Sequence, residues 1–286
     1  MQEQPLGGIP TVQQYRTFTG SGRFREMENF SDHFLVENKA ILRGYAKKWV
    51  MDPLHQWSRQ WEYPFVYSRI DALLRNKHAP KILDAGSGIT FFPYFIKSLH
   101  PAGNVYCLDT DKTLEGLFPR INSRQGVDVA FSASNLKDIP FEKDWFDVVY
   151  CVSVLEHTNE YEEIIAEFHR VLKPGGRLVI TFDLSLDGTR DVSLEAGSML
   201  LEALTRKFRN TENVSVKPAL VALSSDAFTT HSAREIDPNL LPWKYPPILY
   251  RIISLLRRKR HGIWPPYLTV FCIALDKTLP LDPEKR

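Results

Sequence analysis

Cysteine is scarce in this 286-residue sequence, with only Cys107, Cys151 and Cys272. Each lies in an apolar run, and none has a partner at metal-ligand spacing. A disulfide scaffold and a thiolate metal site are excluded, and the three read as reduced core thiols of a cytoplasmic protein. An excess of either charge is also missing. With 36 Lys and Arg against 34 Asp and Glu, the formal net charge is +2, so global electrostatics argue neither for nor against nucleic acid; no such partner is expected. No apolar run approaches the ~20 residues of a bilayer span. The opening residues MQEQPLGGIPTVQQY carry no basic region ahead of an apolar core, so no signal peptide is read. The histidines show no metal-ligand spacing and no metal is assigned. What remains is the composition of a soluble globular enzyme, 43% hydrophobic and 24% charged.

The most informative stretch is ILDAGSGITFF, residues 82–92: an apolar strand, a glycine-rich turn, and an apolar, helix-like run. Such a turn opens a nucleotide crevice. The dinucleotide fingerprint needs a third glycine where Phe91 stands, and Asp84 just before the turn would repel a pyrophosphate. A nicotinamide dehydrogenase is disfavoured on both counts. The turn suits a nucleoside without phosphates, one able to carry a cation.

The middle of the chain alternates strands and helices. Strands are expected at 81–84, 104–109, 127–134, 146–153 and 177–183, and helices around Val66–Leu74, over 91–100 and from Glu162 to Leu172, the last stopping at KPGG (173–176). This rhythm implies a parallel sheet covered on both faces. Further on, a helix is expected over Met199–Phe208 and strands over 213–222 and 267–276. Residues 1–30 and 277–286 are polar and read as loosely held.

At the carboxyl ends of those strands stand Asp84 with Gly86-Ser87-Gly88, then Asp109, which is 21 positions past Gly88 and placed to accept two ribose hydroxyls. Asn135-Leu136 follows the third strand, and CVSVLEH (151–157) ends the fourth. Taken in order, ILDAGSG, CLDTD, SNLKDIPF, FDVVYCVSVLEHT and FHRVLKPGGRLVIT resemble class I S-adenosylmethionine-dependent methyltransferases of the small-molecule branch (methyltransferase type 11-like). The resemblance covers about residues 62–183.

It implies an α/β, Rossmann-like doubly wound seven-stranded sheet of order 3-2-1-4-5-7-6 with the last strand antiparallel. The implied cofactor is S-adenosyl-L-methionine. Asp84 would lie near its methionine ammonium, Gly86 and Gly88 would admit it, and Ser87, Thr110 and Val152 would complete the lining. Asn135 stands where the family has an aspartate, so its amide oxygen would take the adenine amino group while the Leu136 N–H donates to the ring.

In similar methyltransferases the region of QWSRQWEYPF (56–65) folds over the cofactor, which makes Arg59 and Tyr63 candidate contacts to its carboxylate, against aromatic packing as the plain alternative. His157 is the candidate catalytic base, against a purely structural capping role, and Glu156 reads as structural or as a substrate hydrogen-bonder. The resemblance adds that methyltransferases acting on base amines or glutamine amides tend to carry an Asn/Asp-Pro-Pro-aromatic run at the fourth strand; CVSV (151–154) stands there instead, which implies other targets.

The expected layout is an N-terminal extension (1–55), a cofactor domain (56–222 with 267–276) and a C-terminal cap insertion (223–266) carrying the acceptor specificity. ILYRIISLLRRKRH (248–261) reads as an amphipathic cap helix, with a peripheral membrane or lipid-linked contact as the sharper alternative. Trp243, Tyr245, Trp264 and Tyr267 around it suit ring stacking as well as packing. The expected function is methyl transfer, at oxygen, to a small-molecule acceptor; the alternative is a cofactor-binding, non-catalytic partner protein.

Overall fold

The computed structural model describes residues 4–45, 52–190, 192–217, 225–243 and 264–279. The helix expected over 248–261, Tyr245 and residues 218–222 lie outside the described residues. Strands β1 (Lys81–Ala85), β2 (Asn104–Asp109), β3 (Val129–Ala133), β4 (Phe146–Val152) and β5 (Leu172–Ser185) lie parallel in the order 3-2-1-4-5. The two-residue β6 (Val192–Ser193) pairs parallel with the end of β5, and β7 (Leu268–Asp276) runs antiparallel beside β5 from Arg177↔Asp276 to Ser185↔Leu268. The doubly wound sheet with an antiparallel last strand is therefore present. Because β7 fills one edge of β5 over this whole length, β6 takes the other edge, past the last β4 rung at Thr181.

The side-chain alternation of each strand divides it between two layers. Ile82, Val148 and Tyr150 pack with α1 (Val12–Thr19), α2 (Gly22–Leu42), α3 (Arg59–Arg75), α4 (Phe92–Leu99) and α5 (Phe118–Gln125). Leu83, Val149 and Cys151 pack with α6 (Tyr161–Val171) and α7 (Leu194–Lys207). Helix α6 stops as expected before KPGG, where Leu172 turns to extended backbone, but these residues already belong to β5.

Two expectations are corrected. Residues 11–30 are not loose: Thr11 caps α1 in a reciprocal box with Gln14, Ser21 caps α2, and Tyr15, Phe18, Phe24 and Met27 are buried. Residues 213–217 form no strand, because the Asn210 side chain holds both the N–H and the C=O of Val214 in a loop. The outer edge of β7 is met by isolated bridges from Gly8, Arg209 and Thr229. Gly8 exchanges two hydrogen bonds with Cys272, at 2.7 and 3.1 Å, in a backbone conformation (φ +86°) that favours glycine. An edge otherwise open to strand addition is thus covered.

Candidate functional site

The turn after β1 is held by β2. Both the Gly86 and Ser87 N–H groups donate to the Leu108 carbonyl, at 2.8 and 3.0 Å, and the Gly88 N–H donates to Asp109 Oδ2 at 2.9 Å. The other Asp109 oxygen accepts from the Asp111 N–H at 3.0 Å. One carboxylate therefore fixes the bend and its own loop, and each oxygen keeps lone-pair capacity for a ligand hydroxyl. Gly86 and Gly88 both have positive φ, +80° and +50°. A Cβ on Gly86 would stand 2.5 Å from the Val154 side chain, and one on Gly88 would meet the Tyr45 hydroxyl.

Tyr45, at the end of the α2 region, accepts a hydrogen bond from the Ile89 N–H at 3.0 Å. Burial pushes its hydroxyl up to about 12; the Ile89 N–H opposes this, and Asp109, Asp111 and Asp84 add to it. This hydroxyl fills the space beside Gly88 that a side chain would take. Sequence reasoning missed Tyr45, because 44 residues separate it from Ile89 and no motif marks it.

Asp84 is 5% exposed, opposite Tyr150 in the β1–β4 register. Burial pushes its carboxyl up to about 8; the Tyr150 hydroxyl opposes the rise and Asp109 adds to it. The folded chain then holds this proton well above the unfolded carboxylate value of about 3.9, so Asp84 makes stability fall as pH rises from about 4 to about 8. Asp84→Asn should make that fall shallower, measured as urea midpoints at about pH 5 and about pH 8. An equal drop in both proteins would show that Asp84 is ionised throughout.

Beside Asp84 lies a buried polar cluster where β4 ends beside β5. Glu62 of α3 is fully buried, pairs with Arg59, and accepts hydrogen bonds from Ser153 Oγ at 2.7 Å and Thr181 Oγ1 at 2.6 Å. Arg59 also donates to Ser153. Burial works against the Arg59 charge, but Glu62 together with Tyr63, Asp183 and Glu156 outweighs it and the guanidinium stays firmly protonated. Ser153 sits at φ +49°, a conformation costly for a non-glycine residue and held here by both partners. Glu156 is pushed up to about 8 by burial, Arg59 pulling down and Glu62 pushing up, and its Oε2 is buried without a hydrogen-bond partner.

The other expected residues fall as follows. Tyr63 is 4% exposed, packed on Phe91 and Phe92 at ring distances of 5.2 and 4.7 Å. Asn135 is exposed and its amide oxygen accepts from the Lys137 N–H, while Leu136 is buried. Thr110 is exposed beside Asp109, Val152 ends β4, and His157 is exposed in the short turn Leu155–His157. The structure thus joins Asp84, the glycine bend and Asp109 at one rim. It gives Arg59 a protein partner, and it leaves His157 at the surface of the lip.

Fold and rim together define a doubly wound α/β domain whose first glycine bend is braced by the carboxylate that ends β2. Residues 83–180, about a third of the chain, match a family model described as a methyltransferase domain. A demethylmenaquinone methyltransferase of Lactococcus lactis subsp. lactis is 37% identical over 84 residues, 29% of this chain and 33% of that protein. Methyltransferase GfsG of Streptomyces halstedii is 26% identical over 159 residues, 54% of each chain. The chain spans between a third and about half the length of these relatives. Among solved structures, the [4+2]-cyclase SpnF has a TM-score of 0.51 at 16% identity, over 87% of this chain and 96% of that one, a likeness of fold alone.

Proposed function

We propose that the chain is an S-adenosylmethionine-dependent methyltransferase that methylates a small or medium-sized biosynthetic metabolite at oxygen. The observation that carries this is the Gly88 N–H···Asp109 hydrogen bond, 2.9 Å, at a bend where two glycines let Val154 and Tyr45 pack directly on the backbone. That arrangement offers a ribose its carboxylate and an adenosyl group its approach. Asp84, buried behind the bend and holding its proton in the free chain, would ionise against a cationic methionine tail and become its negative partner.

The bound cofactor would supply a methyl group already activated on a sulfonium. What remains for the protein is alignment, exclusion of water and disposal of the acceptor proton. Arg59, Glu62, Ser153 and Thr181 form a hydrogen-bonded floor where β4 ends beside β5. As a C–O bond forms, the hydroxyl proton must leave; His157 at the lip is the candidate to accept it. The three buried free thiols suit a reducing, cytoplasmic setting, and no described helix is long and apolar enough to cross a membrane.

A second reading, methylation at carbon, is favoured by a relative named demethylmenaquinone methyltransferase. A third, cofactor binding without methyl transfer, is kept because a chain of this fold is named a [4+2]-cyclase, and fold does not fix chemistry. Tritiated methyl incorporation across oxygen, nitrogen and carbon acceptors separates the three.

Asp109→Ala should weaken S-adenosylhomocysteine binding by about 1.5–3 kcal/mol, the scale of hydrogen bonds to a charged group. Titration calorimetry measures it, and unchanged affinity would remove Asp109 from the site.

A further inference from the structure

A cavity of about 460 Å³ opens where β5 ends and β7 begins, a volume within the usual small-molecule range of roughly 300–1,000 Å³. Its floor is the last rung of the sheet: Leu186, which follows β5, donates its N–H to the carbonyl of Tyr267, which precedes β7, at 2.9 Å. Its walls come from α1, through Arg16, and from α8 (Thr230–Ile236), through His231, Ser232 and Glu235.

These walls are fastened to one another. Thr229 caps α8 through Ser232. Thr230 Oγ1 donates to the Pro266 carbonyl at 2.6 Å and accepts from the Leu268 N–H at 3.2 Å. Val12 N–H donates to Asp226 and Phe228 N–H to Pro10, both at 2.8 Å, tying α1 to the strand of chain that enters α8. A site built this way is formed before its ligand arrives, which lowers the entropy cost of binding.

Position and chemistry identify the occupant. Ligands of open α/β sheets lie along the carboxyl rim. This cavity is on that rim one strand over from β4, with Leu186 five residues, roughly 16 Å, beyond the Val152↔Thr181 rung where β4 ends. The His231 ring stacks on Tyr267 with centroids 4.6 Å apart and planes at 26°, a flat wall for a flat ligand. Arg16 offers donors and Glu235 an acceptor, and their charges offset, so a neutral ligand with hydroxyls is better served than an ion.

We propose that this cavity is the acceptor's distal site, and that it takes a planar, hydroxylated aromatic ring lying away from the atom to be methylated. The proposal rests on the methyltransferase reading of the neighbouring crevice.

The test uses the full chain saturated with S-adenosylhomocysteine and, as probe, 2,6-dihydroxynaphthalene, with methyl α-D-glucopyranoside and 1,4-cyclohexanediol as sugar and non-planar arms. Binding is read by saturation-transfer NMR and calorimetry. The naphthalenediol should bind saturably and better than either control. His231→Ala should weaken it about fivefold or more. Ser225→Trp, a substitution at an exposed residue of the cavity wall, should do the same by filling the space. S-adenosylhomocysteine affinity should stay within about twofold of wild type in both. Absence of probe binding beside intact S-adenosylhomocysteine binding would overturn this proposal alone. So would preference for the glucoside or the cyclohexanediol, or undiminished probe binding in both variants. Failure of S-adenosylhomocysteine to bind the folded chain would overturn the methyltransferase reading, and the acceptor role with it.

Discussion

Gly86→Val should lose S-adenosylhomocysteine binding by ~100-fold or more, equivalent to about 2.7 kcal/mol. Two causes act together. At φ +80° a β-branched residue is strained, and its Cβ would stand 2.5 Å from Val154. Either Val154 or the bend must move, and the bend is where the Gly86 and Ser87 N–H groups reach Leu108. A displaced bend separates Gly88 from Asp109. Titration calorimetry on protein checked for folding by circular dichroism decides the matter, and wild-type affinity would place the cofactor elsewhere. Gly86→Ala has the same Cβ without the branching and should fall between the two.

Glu62→Ala should destabilise the fold by about 3–5 kcal/mol, the usual cost of breaking one side of a buried ion pair. Arg59 would lose its carboxylate, and the Ser153 and Thr181 hydroxyls, both buried, would lose their acceptor. Glu62→Gln keeps an acceptor oxygen and should cost less. Urea denaturation gives both values. A Glu62→Ala loss under about 1 kcal/mol would mean that water reaches the pair and that the floor of the crevice is soft. The effect also bears on function, because Glu62 and Arg59 hold the hydroxyl of Ser153 in its left-handed conformation, alongside its N–H on the Thr181 carbonyl.

The parallel half of the sheet was legible because buried parallel strands write long apolar runs, and KILD, NVYCLD and FDVVYCVS are such runs. The rim was legible for the same reason: Asp84, the glycines and Asp109 are at fixed distances from strand ends. The N-terminal helices were not. Along α2 the buried positions Phe24, Met27, Ser31, Phe34, Asn38 and Ile41 alternate in steps of three and four residues, a helical face. Two of the six are polar, and Asn38 uses its amide on the Phe34 carbonyl one turn back, so the apolar stripe is broken where it should be read. Glu62 was hidden differently. Nothing in QWSRQWEYPF marks its carboxylate as buried, and only the fold brings Ser153 and Thr181 to it. The strand expected at 213–222 failed in its described part because a local side-chain clamp, Asn210 on Val214, outcompetes edge pairing, and Gly8 bridges to that edge of β7.

The account turns on the bend held by Asp109 being the seat of an adenosyl cofactor. Calorimetric titration of the full chain with S-adenosylhomocysteine tests this most directly, with Asp109→Ala run in parallel. The account predicts saturable one-to-one binding by the wild type, weakened about 10- to 150-fold in the variant. A folded wild-type chain that takes up no S-adenosylhomocysteine would contradict it, as would a variant that binds as well as its parent.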